Sequence, residues 1–413
     1  MSSDIKQRIA DIRRGNVPTG YLKIKRIGIF PEKWSKTKIG DFIQFYNEKS
    51  TKNNQYPVLT SARSGLFFQK DYFEDQVTTE NNTGYNIIPR GFFTYRSRSD
   101  DGSFYFNCNT IIDRGVISCF YPVFQFDTTK VDSNYIFICL NELLKEQVFC
   151  EVAGTSQLVL SEKMLSQMTL VLPPLEEQRR IAEILGCCDR VIALKKELIA
   201  EKKKQKKALM QKLLNPDSGF RLPGFSGEWK SVMLSECVTL GKVKISPADC
   251  DKSCKCIELE HIAVESGKLL GYCSPERVQS LKTLFHKNDI LFGKLRPYLK
   301  KIILAPFDGI CCSECWVLKV AYNINPAFLY NRLFMDDFIS ASCTVSGTKM
   351  PRADWQYVKD FQLFIPEITE QQAIADILSA ADKEINLLEQ ELAQQEQKKK
   401  SLMQLLLTGI VRV

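Results

Sequence analysis

The stretch LPPLEEQRRIAEILGCCDRVIALKKELIAEKKKQKKALMQKLL, residues 172–214, decides the organisation of this chain, because it occurs twice. It returns as IPEITEQQAIADILSAADKEINLLEQELAQQEQKKKSLMQLLL at residues 365–407. Gln178 and Gln371 set an offset of 193, and the register holds without a gap. From Pro174 to Leu214, 17 of 41 positions match their counterparts, the mark of an internal repeat.

Both copies predict long helices. Pro173 and Pro366 stand where a missing N–H costs little. The second copy then runs without Pro or Gly to Gly409, and the first carries only Gly186 before Pro216. Some 41 residues at 1.5 Å each make a rod of about 60 Å. Residues Leu378, Ile385, Leu388, Leu392 and Leu402 recur in steps that give a heptad seam. The first copy repeats it with Leu185, Ile192, Ile199 and Leu209, although Lys195, Lys202 and Lys206 make its middle polar. Neither helix can bury such a stripe alone. The simplest solution is an antiparallel pair, in which the lysines of the first helix face Glu389, Glu391 and Glu396 of the second. A solitary helix with a solvated lysine face would leave both apolar stripes uncovered.

The regions between the helices are rich in strands and turns. Residues 1–29 predict a charged helix and an arm, followed by a first domain over 30–172. The central helix occupies 173–215, a linker and second domain 216–365, and the terminal helix 366–413. The domains correspond at specific points: WSKTKIGDF at 34–42 with WKSVMLSEC at 229–237, Gly115 with Gly309, and YPVF at 121–124 with CWVL at 315–318. The helices have kept more identity than the domains, which implies a shared scaffold with different surfaces.

This order resembles the specificity subunit of type I restriction-modification systems over essentially the whole length. The residues that carry the resemblance are LPPLEEQRRIAEIL at 172–185, IPEITEQQAIADIL at 365–378, VPTGYLKIKRIGIFPEKW at 17–34 and RLPGFSGEW at 221–229. Glu367 stands where the first copy has Pro174, a small departure. The resemblance implies an α+β fold: two pseudo-twofold-related mixed α/β target-recognition domains separated by an antiparallel pair of long coiled-coil helices. It implies a subunit without chemistry of its own, reading a bipartite target in double-stranded DNA. It also implies two methyltransferase subunits docked along the helices, and restriction-translocase subunits in the full complex. A two-headed, non-catalytic scaffold for protein or RNA is the competing reading of the same layout.

For DNA contacts we look to basic residues interleaved with aromatic and polar ones on loops. In the first domain these are Arg63, Arg90, Tyr95, Arg96 and Arg98, with Thr155, Ser156 and Gln157. In the second they are Lys294, Arg296 and Tyr298, with Thr348, Lys349 and Arg352. Arginine can read guanine and glutamine can read adenine, while Lys, Ser and Thr mostly hold phosphates. The net charge of +8 is consistent with a polyanionic partner.

Other chemistries find little support. Asp217, Glu228 and Lys230 fit a nuclease pattern on paper but lie in a Pro/Gly-rich linker. The only Pro-Pro lies in Leu172–Leu175 and is not preceded by Asn or Asp, which argues against an aminomethyltransferase, and no phosphate-binding Gly-rich loop with Lys occurs. Cys250, Cys254 and Cys256, with Cys311, Cys312 and Cys315, lack zinc-knuckle spacing, so we expect buried thiols, no metal and no cofactor. Fifteen cysteines with no apolar leader segment lead us to expect a reducing cytoplasm, and no apolar run reaches membrane-spanning length.

Overall fold

The computed structural model of the protein describes residues 3–24, 28–73, 81–144, 158–343 and 351–413. By its internal contacts the chain divides into two compact units, Met1–Ala193 with Ala393–Val413, and Leu194–Leu392. The two repeated stretches form continuous α-helices, the central helix Leu175–Leu213 and the terminal helix Ile368–Leu407. The division falls inside both helices, so each unit contains one globular part and a half of each helix.

Within each unit the two helix halves pack antiparallel. In the first unit Ile181 and Leu185 share a core with Leu406 and Leu407, and Leu402 packs against it. In the second, Leu213 and Leu214 share a core with Ile374, Ala375 and Leu378, and Leu209 packs against it. Side chains this buried each contribute about 1.5–3 kcal/mol. The polar middle of the seam is joined by interhelical ion pairs whose order reverses along the partner. In the second unit Lys195 meets Glu391 at 2.7 Å, Lys202 meets Glu384 at 2.6 Å and Lys206 meets Asp382 at 2.7 Å. In the first unit Lys399 meets Asp189 at 2.5 Å. The last two pairs are one interaction repeated, because Lys206 and Asp189 lie 193 residues before Lys399 and Asp382.

The repeated Glu-Gln at the start of each helix also finds its reason. Gln178 accepts the Asp132 N–H at 3.0 Å and donates to the Pro173 carbonyl at 2.9 Å. Gln371 does the same with Asn325 and Pro366, at 2.8 and 2.9 Å. Asp132 and Asn325 each cap a domain helix, Ser133–Glu142 and Pro326–Leu333. Each glutamine thereby ties a long helix to the capped end of a helix in its own domain. The neighbouring glutamates each hold an arginine. Glu177, 6% exposed, takes a two-pronged contact from Arg412, and Glu370, 3% exposed, takes one from Arg221. Those guanidinium groups also lie near Trp34 and Trp229, at 5.9 and 6.0 Å from the rings.

Each domain carries a four-stranded antiparallel sheet with equivalent strand order. In the first unit the order is Phe106–Cys108, Phe93–Tyr95, Val123–Phe126, Ile43–Tyr46. In the second it is Ile302–Leu304, Ile290–Gly293, Cys315–Val320, Val238–Leu240. The first core is aromatic, with Phe93, Tyr95, Phe106, Phe124 and Phe126 buried together. The second is more aliphatic, built around Ile290, Phe292, Ile302, Leu318 and Phe328. Gly115 and Gly309 both sit on strands where the chain is crowded. A Cβ at Gly115 would lie 2.5 Å from the Leu59 side chain, and one at Gly309 2.5 Å from the Lys255 carbonyl.

The charged helix expected at the N-terminus is Ser3–Arg13. It is anchored within the first unit: Arg8 donates to the Ile410 carbonyl and to Tyr21, whose hydroxyl donates to the Gly409 carbonyl. No helix among the described residues is long and apolar enough to cross a membrane.

Candidate nucleic-acid interface

In each unit a strand of the four-stranded sheet runs on past its end and pairs with a segment distant in sequence. In the first unit Arg98–Ser99 pairs antiparallel with Leu158–Val159, and Leu160 donates to the Ser97 carbonyl at 2.9 Å. In the second Leu295 pairs with Arg352, and Ala353 donates to the Lys294 carbonyl at 2.9 Å. Val159 and Arg352 are again 193 residues apart, so the two edges are counterparts. They place Ser97 opposite Lys294 in the comparison, and Arg96 opposite Gly293.

The first edge gathers Arg96, Arg98 and Arg63. Arg98 lies over the exposed Phe120 ring at 4.3 Å. Ser97 fixes this turn, its N–H and hydroxyl both donating to the Phe120 carbonyl, at 2.9 and 2.8 Å. Arg63 meets Asp101 at 2.5 Å and lies 5.5 Å over Tyr105. The Asp101 carboxyl is held down at about 2 by the Ser103 N–H, then by the Ser99 hydroxyl, with a smaller contribution from Arg63. It therefore stays an anion throughout the physiological range. Arg96 is exposed and makes no ion pair among the described residues. Arg90 belongs elsewhere in this unit: it holds Asp113 at 2.8 Å and the Thr110 carbonyl at 2.7 Å.

The second edge gathers Lys294, Arg296, Tyr298 and Arg352. Arg296 donates its N–H to the Pro351 carbonyl at 2.8 Å, and Arg352 reaches Glu314 at 2.7 Å. The Glu314 carbonyl accepts from the Lys294 N–H at 2.8 Å. Arg296 and Lys300 both adopt left-handed backbone, φ 52° and 47°, on either side of the turn Pro297–Leu299. Such residues carry strain of about 1–3 kcal/mol and cluster at functional loops. Lys300 pins the turn through Asp336, at 2.5 Å. Tyr298 is 47% exposed on it.

One candidate is corrected. Tyr95 is fully buried, tilted against Phe106 and Phe124, and its hydroxyl donates to the Leu160 carbonyl at 3.1 Å. Burial pushes its phenol well up. It is a core residue because Phe93–Tyr95 is an inner strand of the sheet, covered on both faces, and not the start of a loop. Thr155, Ser156, Gln157, Thr348 and Lys349 lie outside the described residues. Of the expected helix-pairing positions, Leu185 and Leu402 belong to the first core and Leu209 and Leu378 to the second. Leu185, Ile199, Leu378 and Ile385 are buried, and Ile192, Leu209, Leu388, Leu392 and Leu402 are half-buried.

Among the described residues no group of three or more His, Cys, Asp or Glu is arranged to hold a metal ion. The Cys312 and Cys315 thiols lie 3.6 Å apart. Exposed guanidinium and ammonium groups beside aromatic rings on sheet edges suit phosphates and base edges.

Comparison with known proteins gives the family and the fold. The family of the type I restriction modification DNA specificity domain matches twice, over residues 31–203 and 228–397. The specificity subunit of the type I restriction enzyme MjaVIII of Methanocaldococcus jannaschii is 25% identical over 93% of this chain and 94% of its own length. That of EcoDI from Escherichia coli is 26% identical over 37% of this chain and 34% of its own. The crystal structure of the S subunit of a type I system from M. genitalium shares the fold, with a TM-score of 0.56 and 14% identity, covering 93% of this chain and 97% of the other. A second structure, described for complex assembly and conformational transition of the type I system, gives a TM-score of 0.55 at 14% identity, covering 92% and 99%. With the family matched over both halves, this chain belongs to the type I restriction-modification DNA specificity family.

Proposed function

We propose that this specificity subunit reads a bipartite DNA target, one half-site per domain, and performs no chemistry itself. Its partners are two methyltransferase subunits docked along the helices and, in the full complex, restriction-translocase subunits, in the cytoplasm. The observation that supports this most is the pair of counterpart sheet edges. They share a backbone arrangement, yet one presents Arg96, Arg98 and Arg63 while the other presents Lys294, Arg296 and Arg352. Unlike side chains on a repeated frame suit two different half-sites. Half-sites read from one face of B-DNA are spaced by about one helical turn, roughly 34 Å, which paired helices of about 60 Å could accommodate.

Methylome sequencing of the host with and without the gene tests this. The expected result is a motif of two short defined halves separated by undefined bases, methylated only when the gene is present. A continuous motif, or an unchanged methylome in a host whose methyltransferase is expressed, would refute the proposal.

A further inference from the structure

Arg96 and Arg98 extend from the end of an inner strand and line one open cleft of about 330 Å³ in the first domain. Thr60, Gln69, Phe120 and Tyr121 line it as well, and among the described residues that line it none is acidic. The volume lies at the low end of sites that hold small molecules, the scale of one base with its phosphate. Two positive charges, exposed aromatic surface and, among the described residues, no competing carboxylate make it a place for a flat, electron-rich, anionic group.

The two arginines are not equivalent. Arg98 is laid against Phe120 at 4.3 Å and its backbone is committed to the bridge with Val159. Arg63, Arg90 and Arg352 each hold a carboxylate. Arg96 makes no ion pair among the described residues, and its charge acts on the Tyr121 phenol beside it, offsetting part of the upward push of burial. An exposed arginine that no described carboxylate holds can present its donor fork to a ligand.

The second domain has no counterpart of this group. The position matching Arg96 is the buried Gly293, where even a Cβ would lie 2.8 Å from Leu259 and 3.1 Å from the Lys301 carbonyl. The cleft cation therefore distinguishes the two domains rather than serving a shared structural need.

The geometry points to this cleft as the place where the first domain reads a guanine, with Arg96 as the specificity-determining residue and Arg98 holding a neighbouring phosphate. Guanine is favoured because its major-groove edge offers two adjacent acceptors, O6 and N7, to the two parallel donors of a guanidinium. Adenine pairs one acceptor with one donor, and the pyrimidines offer no such pair. This inference rests on the DNA-reading function proposed above and adds to it the base and the residue.

The test uses the full-length chain and a library of random duplexes. Selection by the wild-type chain yields its preferred sequence, and each guanine is then replaced singly by 7-deazaguanine, which keeps pairing and O6 but lacks N7. One replacement in one half-site is expected to weaken wild-type binding about tenfold or more, and Arg96→Ala binding less than twofold. Arg96→Ala should accept other bases at that position alone, leaving the second half-site unchanged. Arg96→Lys, which keeps the charge, should lose the same preference while retaining most affinity. Arg98→Ala should weaken binding to all sequences alike. If Arg96→Ala loses affinity uniformly with every base preference intact, or if the 7-deazaguanine penalty persists in it, Arg96 is no base reader and the inference fails. Should the wild-type chain enrich no sequence at all, the failure lies in the proposed function itself.

Discussion

Removing Arg412 should loosen the first unit more than its place one residue from the end of the chain suggests. The Glu177 carboxylate is 6% exposed and takes both prongs of the Arg412 guanidinium, the outer one at 2.6 Å, while the arginine side chain is 35% exposed. Breaking a buried pair by deleting one partner costs about 3–5 kcal/mol, because the other charge stays buried without compensation. Solvent access to the arginine reduces this toward the smaller values of exposed pairs, leaving about 2–3 kcal/mol for Arg412→Ala. Part of that is lost contact with Trp34, 5.9 Å away, worth about 0.5–1 kcal/mol. Urea unfolding, with hydrogen exchange at the start of the central helix as a local readout, measures the loss. Glu177→Gln in the same chain replaces the stranded charge by a neutral amide, so the double variant should be more stable than Arg412→Ala alone. A double-mutant cycle with no coupling, or an Arg412→Ala variant within about 0.5 kcal/mol of wild type, would refute the idea that this pair clamps the helix end.

Gln178→Ala should cost about 1–3 kcal/mol, read by thermal unfolding, because it strands the half-buried Asp132 N–H and the buried Pro173 carbonyl together. Reversing one charge of the Lys206–Asp382 pair should destabilise the second unit by about 0.5–1 kcal/mol, and swapping both should restore it; no recovery in the swapped chain would dissolve the interhelical pairing. Tyr95→Phe should cost about 1 kcal/mol by loss of one buried hydrogen bond and leave DNA sequence preference unaltered, and a changed preference would return that residue to the interface. DNA affinity of the full-length chain should fall steeply between low and physiological salt, since several phosphate contacts release counterions together, and a flat response would argue against the two edges as the binding surface.

How far this was legible in the sequence depended on which residues were repeated. The 193-residue offset exposed the two helices, the heptad seam and the charge complementarity, because packing constrains a helix stripe strongly and locally. One residue out of that register, at an offset of 194, the domains also match Gly115 with Gly309, each crowded by neighbouring chain. The same repeat marked Glu177, Gln178, Glu370 and Gln371 without explaining them. Their partners Arg412 and Arg221 follow the opposite helix at unequal distances, so no fixed offset reveals them. The matched Trp34 and Trp229 were the available clue. The candidate interface was legible only as clusters. Arg96 and Arg98 were found from composition, but Phe120, Gln69 and Thr60 reach their cleft through tertiary packing that no local pattern announces. Tyr95 was misread because TYRSRSD looks like a loop, whereas its first residues finish an inner strand that is covered on both faces.

The claim that paired helices set the gap between two unlike reading domains is tested most directly by lengthening both. Four residues inserted in each helix where the two units divide, after Ala193 and after Leu392, add about 6 Å to each. Methylation mapping of the altered chain should return the same two half-sites with the undefined stretch longer by one or two base pairs. Methylation only at the original spacing, by a chain that still binds its partners, would contradict the claim.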